Sequence, residues 1–184
     1  MEKDLSLNFV LEKKYIPLED IISLVSKNVK IELSPSLEKD PQDSFLFLKQ
    51  YSKDRVVYGV NTGFGPMAQY KIDLEKQLEL QYNLIRSHSS GMGIAIGPQD
   101  CKAILLDRII TFSKCKSGIH IDLMKLQIAL FNQEIYPVVY EHGGVGASGD
   151  LVQLAHVALV MIGEGKCWYK NEIVETKALF QKLG

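Results

Sequence analysis

The chain has 184 residues, a length typical of one domain or of part of a larger one. Hydrophobic residues make up 46% of it and charged residues 23%, a balance that excludes a disordered or low-complexity protein. With 21 Lys and Arg against 22 Asp and Glu the net charge is −1, so nucleic acid is not an expected partner.

Targeting and metal-binding signals are also missing from the sequence. The longest apolar run, residues 157–162, is far shorter than the roughly 20 residues that cross a bilayer, so no membrane association is expected. The first residues, MEKDLSLNF, lack the apolar core of a signal peptide, which favours a cytoplasmic protein. Three cysteines without CxxC spacing and four scattered histidines predict free thiols and no metal site.

The first half of the chain is predicted to consist of short elements separated by turns. Pro17 is expected to open a helix, because proline is tolerated in a first helical turn. Residues 29–33 alternate apolar and charged side chains as an edge strand does, and Pro41 is expected to begin a second helix. A short strand over residues 56–58 then leads into a glycine-rich loop over residues 59–66.

The second half is predicted to be mostly helical. Helices are expected over residues 73–91, 98–112, 122–132 and 150–163, with an extended stretch at 135–140 and a final hairpin turning at Lys170-Asn171. The helix at 150–163 is apolar on every side, so we expect it at the centre of the protein. His156 on this helix is interpreted as a hydrogen-bonded core residue, and Arg86 as a structural cation at a helix end.

The loop GVGASG at residues 144–149 matches G-x-G-x-x-G between an extended stretch and a helix, as in a dinucleotide site. Two features disfavour that interpretation. A central parallel strand does not easily hold Pro137, and the following segment is a polar hairpin instead of a buried second strand.

The tripeptide Ala147-Ser148-Gly149 supports a different interpretation. Attack of the Gly149 nitrogen on the Ala147 carbonyl would close a five-membered ring, and loss of two waters would leave a methylidene derived from Ser148. Gly149 allows the compressed backbone that cyclisation needs. The positive end of the following helix would make such a ring a stronger electrophile.

Three motifs, YGVNTGFGP at 58–66, NLIRSHSSGMG at 83–93 and GGVGASGDLVQLAHVALVMIGEG at 143–165, together resemble the aromatic amino acid ammonia-lyases. This family includes histidine, phenylalanine and tyrosine ammonia-lyases and related aminomutases. The resemblance implies a mainly α-helical fold with short β hairpins, the N-terminal part of the ammonia-lyase (fumarase/aspartase-like) fold. It also implies a 4-methylideneimidazole-5-one (MIO) prosthetic group formed from Ala147, Ser148 and Gly149, without metal or nucleotide, in a homotetramer.

The same resemblance implies roles for individual residues. Tyr58 corresponds to the catalytic tyrosine, Gly65 lies beside the bound substrate, and His88 contacts the substrate ring. Ser87-His88 resembles the pair in histidine ammonia-lyases and in a group of bacterial tyrosine ammonia-lyases, and the following Ser89-Ser90 leans towards the tyrosine group. The implied reaction removes ammonia from an aromatic L-amino acid, converting tyrosine to p-coumarate or histidine to urocanate.

Family members are much longer chains. By the resemblance, residues 1–184 are an N-terminal domain bearing the prosthetic group, and the central helical bundle and C-terminal region are absent. We therefore expect the 184-residue chain to be inactive by itself. An aminomutase of the same family and a non-catalytic fragment remain alternatives, with dinucleotide binding third.

Overall fold

The structure, a computed structural model, describes residues 7–146, 149 and 151–184. Within these ranges the chain forms seven α-helices and three small sheets. The helices are α1 (Leu18–Ser26), α2 (Pro35–Tyr51), α3 (Leu74–His88), α4 (Pro98–Ser113), α5 (Ile121–Asn132), α6 (Leu151–Met161) and α7 (Thr176–Leu183). The strands are β1 (Leu7–Leu11), β2 (Val29–Leu33), β3 (Met92–Ala95), β4 (Tyr136–Pro137), β5 (Tyr140–His142), β6 (Lys166–Tyr169) and β7 (Glu172–Glu175). The predicted mainly helical class with short β hairpins is confirmed.

The strands pair in three separate sheets. β1 and β2 are parallel, β3 and β5 are antiparallel, and β4, β6 and β7 form an antiparallel sheet in that order. The β6–β7 hairpin turns at Lys170 and Asn171, whose φ values of 52° and 63° are those of a type I′ turn, so the predicted turn is confirmed.

Helix α4 supplies the centre of the hydrophobic core. Cys101, Leu105 and Ile109 recur every four residues, which places them on one helix face, and each is at most 1% exposed. Helix α5 packs against α4, and α6 lies beside α5. Other buried members of the core are Leu11, Leu24, Val29, Ile31, Leu37, Met124, Phe131, Val139, Val157, Val160, Cys167 and Leu179.

Helix α6 is only partly enclosed. Leu151 and Leu154 are 50% and 36% exposed, whereas Val157 and Val160 are buried. Packing against α3 and α5 thus covers only part of the apolar surface of α6 and leaves those two leucines open. In the ranges that the structure describes, no helix combines the length and the apolar character of a membrane span.

The second helix begins at Pro35, six residues before the predicted start at Pro41. Pro35 occupies the first helical position, where the missing N–H has no partner to lose. Pro41 lies inside the helix, where it removes a backbone hydrogen bond. Burial of Pro41 and of Leu37 in the same helix offsets that loss and keeps the helix continuous.

Residues 56–58 do not form the predicted strand. The N–H of Val57 donates to the side-chain Oδ1 of Asn61 at 2.8 Å, and its carbonyl accepts from the backbone N–H groups of Val60 and Asn61. A tight turn thus takes the hydrogen bonds that a strand partner would need, which overrides the β-propensity of the valines.

Candidate active site

The glycine-rich loop brings Tyr58 and Gly65 together. The Gly65 N–H donates to the Tyr58 hydroxyl in a long contact of 3.5 Å, and the Tyr58 ring packs edge-on against Phe64 at 6.0 Å. Tyr58 is 64% exposed, so its hydroxyl is open to a ligand from outside the chain.

Asn61 holds this loop in shape, a role that the sequence did not predict. Its side chain is 3% exposed, donates to the carbonyls of Ser52 and Arg55 at 2.8 Å each, and accepts from Val57. Three hydrogen bonds from one buried amide anchor the turn that carries Tyr58. The only signal in the sequence is an asparagine in a glycine-rich stretch, a composition common to many turns.

His88 is the last residue of α3, and its ring is oriented by the helix itself. Its Nδ1 lies 2.9 Å from the carbonyl oxygen of Leu84 and 3.1 Å from the Ser87 hydroxyl. Because a carbonyl can only accept, Nδ1 carries the hydrogen in that bond. A neutral His88 therefore presents Nε2 as a hydrogen-bond acceptor.

Gly149 is the member of the predicted ring-forming tripeptide that the structure describes. Its φ of +83° lies in the left-handed region that glycine adopts without strain. Gly149 is exposed and lies two residues before Leu151, where α6 begins. Ala147 and Ser148 lie outside the described residues, so their roles stay predictions.

His156 on α6 is a hydrogen-bonded, buried residue, as predicted. Its Nε2 accepts from the backbone N–H of Gly91 at 3.1 Å, and its ring meets Tyr140 edge-on at 5.3 Å. Burial lowers the pKa of His156 below its ordinary value. The approach is close enough that a Cβ at Gly91 would lie 2.8 Å from Nε2, so a side chain there would displace the His156 ring.

The end of α3 runs along α6. Arg86 forms two hydrogen bonds with the carboxylate of Glu164, just beyond α6, at 3.0 and 2.6 Å, which confirms its structural interpretation. At the other end of α6, a Cβ placed on Gly143 would lie 2.5 Å from Val152 and 3.3 Å from the Cα of Gly91. The segment from 86 to 91, which includes His88, therefore runs along α6, and its Gly91 end approaches the start of that helix.

The predicted site residues thus fall into two groups. Tyr58 and Gly65 share the glycine-rich loop, whereas His88 ends α3 and Gly149 precedes α6, and these two helices pack together. In the part of the chain that the structure describes, no hydrogen bond joins one group to the other.

A cavity of about 670 Å³ lies elsewhere, between the second half of α2, the glycine-rich loop and the start of α3. Phe45, Leu48 and Ile72 give it a largely apolar wall. None of the predicted site residues lines it, so the predicted chemistry lies outside this cavity. No group of three or more potential metal ligands occurs among the described residues.

The strand pairing also bears on dinucleotide binding. The strand before the G-x-G-x-x-G sequence, β5, pairs antiparallel with β3. A dinucleotide fold needs a parallel β-α-β unit at that point. The glycine motif therefore stands in a different structural context from that of a nucleotide site.

Known proteins with similar sequences are ammonia-lyases. Histidine ammonia-lyase of Bos taurus is 44% identical over 164 residues, which cover 85% of this chain and 25% of that protein. The histidine ammonia-lyase of Shouchella clausii is 36% identical over 176 residues, covering 95% of this chain and 35% of its own. The chain thus spans about a quarter to a third of the length of these relatives.

Solved structures of the same kind share the fold. Pantoea agglomerans phenylalanine aminomutase superposes with a TM-score of 0.87 at 31% identity, covering 96% of this chain and 34% of its own. Histidine ammonia-lyase from Trypanosoma cruzi gives a TM-score of 0.85 at 28% identity, covering 97% of this chain and 35% of its own. Residues 16–184 match the family model for aromatic amino acid lyases. The chain therefore belongs to the aromatic amino acid lyase family and has part of the helical fold of its ammonia-lyases and aminomutases.

Proposed function

We propose that this chain is the prosthetic-group-bearing domain of an ammonia-lyase that removes ammonia from an aromatic L-amino acid. The observation that carries the proposal is the tripeptide Ala147-Ser148-Gly149, with Gly149 at φ +83° close to the start of α6, in a member of the aromatic amino acid lyase family. The MIO group, once formed from this tripeptide, supplies an electrophile that binds the substrate amine and makes it a better leaving group.

Tyr58 is the proposed base that takes the β-proton of the substrate. Its hydroxyl is exposed, and the long contact with the Gly65 N–H orients its oxygen without enclosing it. Gly65 has no side chain to obstruct a substrate beside this hydroxyl. Asn61 supports both residues by anchoring the loop.

His88 is the proposed contact for the substrate ring. A neutral His88 presents Nε2 as an acceptor, which suits a donor on the ring, either an imidazole N–H or a phenol O–H. The ring of phenylalanine has no such donor. Histidine is our first candidate, because the curated relatives described above are histidine ammonia-lyases, and tyrosine is the second.

Product analysis tests this function. A complete enzyme that contains this chain is incubated with L-histidine, L-tyrosine or L-phenylalanine, and urocanate, p-coumarate and cinnamate are followed by absorbance. We expect urocanate or p-coumarate and little cinnamate. Cinnamate as the main product would contradict the proposed role of His88. If a longer form of the protein gives none of these products, the proposed lyase activity is wrong.

An aminomutase is the second candidate, because solved neighbours include phenylalanine and tyrosine aminomutases. It would use the same residues but return the amine to the β-carbon. Chiral chromatography that detects a β-amino acid as the main product would decide for it.

The third candidate is a non-catalytic chain that folds but does not turn over substrate. It is considered because the chain spans only a quarter to a third of its relatives' length. We propose a cytoplasmic homotetramer for the complete enzyme, in which other segments and subunits complete the site. Turnover by the purified 184-residue chain alone would contradict the non-catalytic candidate.

A further inference from the structure

His156 holds the segment that follows His88 through one directional hydrogen bond. The Gly91 N–H is the donor, so Nε2 of His156 must be without a hydrogen, and the hydrogen of the neutral ring is on Nδ1. The residue is 8% exposed, and the Tyr140 ring packs against it. Burial and this ring contact restrict the ring to one orientation.

The segment is also tied to α6 on the other side of His88. Arg86, two residues before His88, forms a double hydrogen bond with Glu164 beyond the end of α6. Gly91, three residues after His88, binds His156 within α6. His88 therefore lies between one attachment to α6 and one to the segment that follows that helix.

The same helix begins close to the proposed ring-forming tripeptide. Leu151 is its first residue, two positions after Gly149. Any shift of Gly91 relative to α6 would thus change the position of His88 relative to Gly149.

We propose that His156 is a positioning residue, whose unprotonated Nε2 fixes the backbone of Gly91 and thereby sets His88 relative to the tripeptide at the start of α6. The role rests on the proposed function, because it assumes that His88 and the tripeptide serve one site. Removal of the acceptor leaves the Gly91 N–H without its partner and frees the segment from 88 to 91. A side chain that restores an acceptor at the same reach restores the arrangement.

The experiment uses isotope-labelled protein and three variants. His156→Leu removes the acceptor, and His156→Gln replaces it with an amide oxygen. His142→Gln is the matched control, because it removes a neighbouring histidine whose ring is exposed and paired with Glu141. The readouts are the hydrogen exchange of the Gly91 amide, the ring signals of His88, and the tautomer of His156 from its ring nitrogen shifts.

We expect the Nδ1–H tautomer of His156 and slow Gly91 exchange in the unmodified protein. In His156→Leu, exchange at Gly91 should rise about tenfold and the His88 signals should shift. Both should stay near their original values in His156→Gln and in the control. An effect on stability alone would not produce rescue by glutamine or a shift confined to His88.

Several results would overturn the role. An Nε2–H tautomer in the unmodified protein excludes the hydrogen bond, even if the leucine variant fails to fold. The positioning role is also excluded if the His88 ring signals do not shift in His156→Leu. It is excluded as well if His156→Leu and His156→Gln change the Gly91 exchange and the His88 signals equally. None of these readouts needs a substrate, so missing turnover would count against the proposed function alone.

Discussion

The side-chain amide of Asn132 makes both backbone hydrogen bonds of Ile31. It accepts from the Ile31 N–H at 2.8 Å and donates to the Ile31 carbonyl at 2.9 Å. Asn132 is the last residue of α5 and takes the place of a third strand beside β2. Ile31 is 1% exposed, so little water can reach its backbone N–H and carbonyl if the Asn132 side chain is removed.

Replacement of Asn132 should therefore destabilise the fold. Asn132→Ala leaves two buried backbone groups of Ile31 unpaired, and we expect a loss of about 2–3 kcal/mol in the free energy of unfolding. Urea denaturation measures it. Asn8→Ala is the control, because Asn8 bonds Glu32 at an exposed position of the same sheet and should cost less than about 0.5 kcal/mol. Equal losses in the two variants would contradict the third-strand role.

Asn61→Ala should loosen the loop that carries Tyr58. The substitution leaves the Val57 N–H and the carbonyls of Ser52 and Arg55 without their partner. We expect a loss of about 2–3 kcal/mol, with faster hydrogen exchange at Val57. Gln69→Ala, at an exposed position of the following turn, should change neither measurement.

Ser148→Ala should prevent formation of the prosthetic group. Two lost waters lighten the protein by about 36 Da, an estimate from the dehydrations that turn the serine into an electrophile. Intact mass of the complete enzyme should show this difference in the native protein but not in Ser148→Ala. The variant should also lose activity, and retained activity would eliminate the ring mechanism. In the isolated 184-residue chain we expect partial or no cyclisation.

Tyr58→Phe should lower activity without unfolding the protein. The deprotonated phenol oxygen is the proposed proton acceptor, and loss of a general base typically costs roughly a hundredfold or more in rate. The side chain is 64% exposed and its contact with Gly65 is long, so the unfolding midpoint should stay unchanged. Tyr70→Phe, at an exposed tyrosine near the same loop, is the matched control. Similar rates for both variants would exclude Tyr58 as the base.

Stability should fall as the pH decreases below 6.5. Burial lowers the pKa of His156 from its ordinary 6.5, so below that pH the unfolded chain binds a proton that the folded chain does not. Stability contributed by the neutral ring is therefore complete above 6.5 and is lost as the pH falls towards the lowered pKa. His156→Gln should remove this part of the pH dependence. The carboxyl of Glu164, whose pKa Arg86 lowers, acts in a separate range below 4.5. The urea midpoints of the native protein and of His156→Gln are measured between about pH 4.5 and pH 7. If stability falls with decreasing pH equally in both proteins, His156 is not the cause.

Local signals in the sequence predicted most elements of the fold. Pro17 precedes α1, and the alternation at Val29–Leu33 and the Lys170-Asn171 turn appear where expected. β1 and β3 were not predicted, because their partners are distant in sequence and their own residues are largely exposed. Pro41 misled the prediction, because tertiary packing outweighs the loss of one helical hydrogen bond.

The candidate site was predictable where chemistry resides in a motif. The contact between Tyr58 and Gly65 joins two residues of one predicted loop, whereas the roles of the tripeptide at 147–149 stay predictions. The structural roles of Asn61 and Gly91 were not predicted, because these roles depend on hydrogen bonds that only the folded chain forms. The partner of Gly91 is 65 residues away in the sequence, and no local pattern indicates such a pair.

The close approach of Gly91 and Gly143 has a consequence for the order of folding. It closes a loop of about fifty residues, and the entropy cost of such a closure rises with the logarithm of the loop length. The packed pair α4 and α5 lies within that loop, so we expect its formation to bring the two ends near each other and to lower the cost of their closure at α6. The geometry around His88 therefore depends on core residues such as Leu105 and Ile109. Cavities created there should weaken substrate recognition at a concentration of denaturant that leaves the helices intact.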